Sequence, residues 1–228
     1  MRVVSLDLRG HGLSAHRATY RYEDYAGDLL ALLDELGLDR AAVAGHSLGA
    51  YVALLAASAS DRVGPVLAID VKSNWTAADA AFVERARDAT QRVEPDREAL
   101  VERLAAGLGS ATLDHHELER LAGRAIEEVS GGWRYRWDRR VLAPEPVDPF
   151  VFLSSVRCRV HVQAGSESDV MPPDAAHRFA AAIPDATVEI VEGAGHHPEL
   201  EGPERVAASS TTTTAVTSSA VLMPLLRR

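Results

Sequence analysis

The chain has 228 residues, 46% of them hydrophobic and 25% charged, which suffices for one sizeable core with room for a small inserted subdomain. A net charge of −9 gives no electrostatic reason to bind nucleic acid or an anionic membrane, so neither is expected as a partner. The lone cysteine, Cys158, excludes an internal disulfide, no apolar stretch is long enough to span a bilayer, and Asp7 follows Met1 too closely for a signal peptide; the expected location is the cytoplasm.

Residues 3–8 form a short apolar run that ends in Arg9-Gly10-His11-Gly12, a strand and then a turn. Residues 22–36 carry Leu29, Leu30, Leu32, Leu33 and Leu36 at helical spacing, with Gly37 as the stop. Residues 41–44 read as a buried strand, 50–57 as a buried helix, and 65–69 as another strand ending at Asp70. Strand, helix, strand, helix, strand predicts a parallel α/β sheet. Residues 77–93, 96–108 and 114–130 then read as helices with no clear strand between them, an insertion over residues 74–147. The proline-rich stretch 143–149 is a stiff exit linker. The sheet resumes with a strand at 158–164, a helix at 173–183 and a strand at 187–191. The core is thus expected to comprise 1–73 and 148–208. Residues 209–228 form a Thr/Ser-rich tail that is a poor helix former, expected to be disordered.

The chemistry centres on Gly45-His46-Ser47-Leu48-Gly49. This G-x-S-x-G lies between a predicted strand and a predicted helix, where a tight turn pushes the serine outward and flanking glycines avoid a Cβ clash. The helix N-terminus adds N–H groups and partial positive charge, which suit a nucleophile whose reaction passes through an oxyanion. A serine nucleophile needs a base, and the base an orienting acid. Ser166-Glu167-Ser168-Asp169 and Gly193-Ala194-Gly195-His196-His197 each follow a predicted strand, which puts Ser47, Asp169 and His196 at strand carboxyl ends, where open α/β sheets bind ligands. Glu167 and Asp70 stand as alternative acids and His197 as an alternative base. The histidines and carboxylates show no close repeated ligand spacing, so no metal site is expected, and no glycine-rich motif points to a nucleotide.

The order Ser, Asp, His, with the turn Asp7-Leu8-Arg9-Gly10-His11-Gly12-Leu13-Ser14, the G-H-S-x-G elbow, Ser168-Asp169, Gly195-His196 and Glu201-Gly202-Pro203-Glu204, resembles the α/β-hydrolase superfamily in its lidded, esterase-like branch. The resemblance implies a mostly parallel α/β-hydrolase sheet with a helical lid over residues 74–147. It implies Ser47 as nucleophile, His196 as general base and Asp169 as its orienting acid, with the Leu48 N–H as an oxyanion donor. Trp75, Trp133, Tyr135 and Trp137 would line an acyl pocket under the lid or pack the insertion. His11 and His46 are read as structural and His115-His116 as solvated. The activity implied is hydrolysis of a small or medium carboxylic ester through an acyl-enzyme, without a cofactor. Serine at the elbow argues against dehalogenase or epoxide-hydrolase chemistry, whose elbow residue is aspartate.

Members of that superfamily carry strands ahead of the run at 3–8, and a His-Gly turn that supplies a second oxyanion N–H. Here neither is present, so the sheet is expected to be N-terminally truncated, as in a fragment of a longer hydrolase, with a gap between the strands at 3–8 and 41–44. Loss of one oxyanion donor typically costs about 10²–10³ in turnover. A crippled relative that only binds a ligand or partner is therefore one alternative to an esterase, and a C–C bond hydrolase, which uses the same triad, is another.

Overall fold

The computed structural model describes residues 2–87, 90–108, 113–142, 147–206 and 220–222. Strands β1 (Arg2–Val4), β2 (Ala41–His46) and β3 (Val63–Ile69) alternate with helices α1 (Tyr22–Glu35) and α2 (Leu48–Ala59). The first five residues of β2 and all seven of β3 are buried. Continuous apolar runs of this kind mark strands covered on both faces, as parallel sheets require. After an insertion the chain continues through α6 (Phe150–Leu153), β6 (Val160–Gly165), α7 (Pro173–Ala181), β7 (Ala186–Val191) and α8 (Pro198–Glu201), and residues 220–222 form β8. One sheet runs β1-β8-β2-β3-β6-β7, and its neighbouring strands pair in parallel. No described helix is long and apolar enough to cross a membrane.

Local sequence explains the key boundaries. Helix α1 stops where Gly37 adopts φ +63°, so that Leu38 N–H reaches the Leu33 carbonyl (2.9 Å) and Gly37 N–H reaches that of Asp34 (3.0 Å). This pair of bonds is a Schellman stop, which a residue with a Cβ would strain. Helix α2 buries Tyr51, Val52 and Leu54 along with four of its alanines, and is enclosed by the sheet, α1 and α6. Arg9 bonds Asp28 through two nitrogens, at 2.6 and 2.7 Å, and pins the turn after β1 to α1.

The insertion contains α3 (Ala77–Arg87), α4 (Arg97–Gly107) and α5 (His115–Ala125), then an antiparallel hairpin, β4 (Ile126–Val129) with β5 (Gly132–Tyr135), and a 3-10 turn at Arg139–Leu142. The helix expected to run to residue 130 thus ends at Ala125. A Ser130-Gly131-Gly132 turn, with both glycines at positive φ, folds the rest into the hairpin. Helix α5 opens on a capping box, with Glu117 N–H on Asp114 Oδ1 (2.8 Å) and Asp114 N–H on Glu117 Oε2 (3.3 Å). Leu100, Val101, Ala122 and Ile126 form a small core separate from that of the sheet. Tyr20 Oη donates to Asp138 Oδ2 (2.8 Å), Arg140 bonds the same carboxylate, and Asp138 N–H bonds the Gly10 carbonyl (2.7 Å), tying the end of the insertion to the turn after β1.

Two expectations concern segments outside the described residues. These are residues 143–146 of the exit linker, and the tail at 209–219 and 223–228. Within the tail, β8 (Ala220–Leu222) lies between β1 and β2, pairing Val3 with Val221 on one side and Ala42 with Val221 on the other. The gap expected at the centre of the sheet is thus filled by a strand from the far end of the chain. Strand β1 itself is shorter than the run at 3–8, whose Leu6 and Leu8 pack against the core from the following loop.

Candidate active site

Ser47 sits between β2 and α2 with φ 50° and ψ −115°, a left-handed conformation costly for a residue with a side chain. The turn is held by Ser47 N–H on the Ile69 carbonyl (2.9 Å), and by Ala50 and Tyr51 N–H on the Ser47 carbonyl (both 3.1 Å). A Cβ at Gly45 would overlap the backbone carbonyl group of Gly49, which is why the motif needs glycine there. Leu48 is the first residue of α2, so its N–H precedes the first intrahelical partner and is available at the helix N-terminus.

Asp70 is the residue immediately after β3, also left-handed at φ 47°, with its N–H on the Gln163 carbonyl (2.7 Å). It is fully buried. Three donors converge on its carboxylate. His196 Nδ1 and Ser168 Oγ meet Oδ1, both at 2.7 Å, and Gly165 N–H meets Oδ2 at 3.1 Å. A buried carboxylate is tolerable when it is so paired. Because the carboxylate accepts, His196 Nδ1 carries the proton and Nε2 carries the lone pair a general base needs. Ser47, Asp70, Ser168 and His196 thus follow the carboxyl ends of β2, β3, β6 and β7, adjacent strands of one sheet.

A cavity of about 310 Å³ opens on Ser47. Ser47, Leu48 and His11 line it from the core, and Trp75, Phe82 and Leu142 from the other side. Lys72 and Asp79 also line it, paired at 2.8 Å, with the Lys72 ammonium 5.9 Å from the centre of the Trp75 ring. The hydrogen bonds from Lys72 and Thr76 hold the Asp79 carboxyl at about 2. Burial pushes His11 below the ordinary histidine range.

The structure separates several sequence candidates. Asp169 and Glu167 are exposed, and the carboxylate on His196 belongs to Asp70 instead. Of the four aromatic candidates Trp75 lines the cavity. Trp133 and Tyr135 pack on the small core of the insertion, Tyr135 Oη bonds the Leu100 carbonyl (2.8 Å), and Trp137 stacks on Tyr135 at 4.1 Å. His115 and His116 are exposed at the start of α5. His46 Nε2 donates to the His196 carbonyl (2.7 Å), and burial lowers its pKa to about 4, so it is neutral. Ser168 and Gly165, which hold Asp70, were not candidates from sequence. The signal for Ser168 was only its place beside Asp169 in a turn after a strand.

Residues 1–209 match the model of the alpha/beta hydrolase family. Esterase YbfF of Escherichia coli (strain K12) is 26% identical over 218 residues, an alignment covering 90% of this chain and 79% of that protein. The putative carbamate hydrolase RutD of Caulobacter sp. (strain K31) is 28% identical over 214 residues, covering 91% and 78%. The crystal structure of E-2-(acetamidomethylene)succinate hydrolase superposes with a TM-score of 0.81 at 27% identity, covering 92% of this chain and 80% of that one. With a parallel sheet, a strained serine elbow and a matched family model over most of its length, the chain belongs to the alpha/beta hydrolase family and is a hydrolase-like enzyme.

Proposed function

We propose that this enzyme cleaves a small or medium carboxylic ester through an acyl-enzyme on Ser47. The observation that carries the reading is the 2.7 Å bond from His196 Nδ1 to the buried Asp70, at the same end of the sheet as a serine held in a strained elbow. His196 Nε2 takes the proton of Ser47 Oγ as the oxygen attacks the ester carbonyl. Asp70 holds the ring in that tautomer and stabilises the imidazolium. The Leu48 N–H receives the oxyanion. His196 then returns its proton to the departing alkoxide, activates water against the acyl-enzyme, and protonates Ser47 again as the acid leaves. No cofactor enters. The names of the relatives, an esterase and a putative carbamate hydrolase, support reaction at an acyl carbon.

In this reading residues 74–147 act as a lid, with Trp75 and Phe82 forming the acyl side of a cavity sized for a small ligand. The single cysteine agrees with a cytoplasmic location. The test is intact-mass analysis after exposure to a fluorophosphonate, alongside turnover of short-chain p-nitrophenyl esters. One adduct on the wild type and none on Ser47→Ala, with ester turnover lost in the variant, is the expected result. No adduct on either protein would overturn it in favour of a binding-only relative.

A further inference from the structure

His46, His197 and Glu199 converge immediately behind the elbow, one ligand atom of each lying within 4.8 Å of the others. His46 Nδ1 is 3.6 Å from Glu199 Oε1, and His197 Nδ1 is 3.1 Å from the same oxygen. Donors around a tetrahedral ion with bonds of about 2.0–2.1 Å stand roughly 3.3 Å apart, so both spacings need only small ring movements to close on a metal. His46 donates its Nε2–H to the His196 carbonyl at 2.7 Å, which leaves Nδ1 as the free lone pair and fixes the ring, as backbone carbonyls do for metal-bound histidines. Glu199 Oε2 is buried with no hydrogen-bond partner among the described residues. The three side chains remain 18–20% exposed, enough for an ion to enter and keep a water as fourth ligand.

The cluster's electrostatics agree. Burial alone would raise the Glu199 carboxyl, but the His197 hydrogen bond and the two facing imidazoles bring it below the usual range, so it is charged. His46 is neutral and able to ligate, because burial outweighs the charge of Glu199, and the neighbouring rings of His196 and His197 lower it further.

We propose that His46, His197 and Glu199 bind one divalent transition-metal ion of the zinc class. Two imidazoles and one carboxylate suit Zn²⁺ or Co²⁺ and disfavour Mg²⁺ or Ca²⁺. Close sequence spacing cannot reveal such a site, because its ligands come from β2 and from the loop ahead of α8.

The test titrates the metal-free full chain with Co²⁺ and follows the intense visible bands of four-coordinate cobalt. One equivalent should produce them in the wild type and in Ser47→Ala. His197→Asn and Glu199→Gln should each weaken binding by about 100-fold or more. Either variant suffices should the other fail to fold. Absent bands, or bands unchanged in a folded variant, overturn the site.

Discussion

Replacing Asp70 with asparagine is the sharpest test of the catalytic geometry, because the structure dictates what the amide must do. Asp70 Oδ1 accepts from His196 Nδ1 and Ser168 Oγ, and Oδ2 accepts from Gly165 N–H. Asparagine has one acceptor and one donor end. With its oxygen toward His196, the NH₂ faces the Gly165 N–H, two donors opposed in a fully buried site, at a cost of about 1–3 kcal/mol. With the amide flipped, the NH₂ meets His196 Nδ1, which must then accept. The ring proton moves to Nε2 and the base loses its lone pair. Either way the imidazolium loses its counter-charge, and a drop of about 10⁴ in rate is expected, as for triads whose acid becomes an amide. The assay is the second-order rate of fluorophosphonate labelling at Ser47, with urea unfolding to confirm the modest stability loss. Asp169→Asn should change neither quantity appreciably. Labelling of Asp70→Asn within tenfold of the wild type, or an equal loss in Asp169→Asn, would refute the assignment.

Trp75→Ala should raise KM for longer acyl chains by about tenfold with kcat little changed, since it removes cavity wall rather than machinery. Trp133→Ala should instead lower stability by about 2–3 kcal/mol and leave KM alone, because the ring packs on Leu100, Val101, Ala122 and Ile126. Burial alone would raise the Asp138 carboxyl, but the bonds from Arg140 and Tyr20 overcome it and bring it from near 3.8 to about 2. A carboxyl depressed in the folded state adds stability above its unfolded pKa and loses it as pH falls through the folded one. About 2 kcal/mol should therefore vanish between about pH 4 and pH 2, and Asp138→Asn should flatten that limb of a pH-dependent urea-unfolding series. Burial pushes the Cys158 thiol up to about 11, so it should resist a thiol-specific disulfide reagent in the native protein and react with one equivalent after unfolding.

What could be read from the sequence was what neighbouring residues encode. The apolar runs of β2 and β3, the leucine spacing and glycine stop of α1, and the glycines flanking Ser47 each act within a few residues, and each yielded the element found. The hairpin β4–β5 was hidden because Ile126-Glu127-Glu128-Val129 suits either a helix or a strand. The turn glycines and the backbone of Glu94, whose N–H and carbonyl both pair with Trp133, settle the choice from a distance. The Thr/Ser composition of the tail holds no trace of the pairing of Ala220–Leu222 with β1 and β2, which answers to open ladders some 180 and 220 residues away along the chain.

The acid illustrates the same limit with a usable clue. Asp169 stands in a polar loop, Glu167-Ser168-Asp169, where a charge is comfortable in water. Asp70 stands between Ile69 and Val71, both buried, and a carboxylate embedded in an apolar run must find donors as the chain folds. The flanking isoleucine and valine stand in the sequence, but the Ser168-Asp169 turn drew the assignment to Asp169, with Asp70 only an alternative. What sequence could not supply was the route from Asp70 to His196. Strand β6 lies between β3 and β7, so the acid reaches the histidine across the turn that leaves β6. That turn must therefore be low and polar. Gly165 provides the first property, since a Cβ there would overlap the carbonyls of Ala194 and Gly195 just ahead of His196. Ser168 provides the second, donating to Asp70 while its oxygen accepts from the N–H groups of Val170 and Met171 (both 3.1 Å). The Ser168-Asp169 pair that suggested an acid is thus the platform over which a different acid reaches the same histidine.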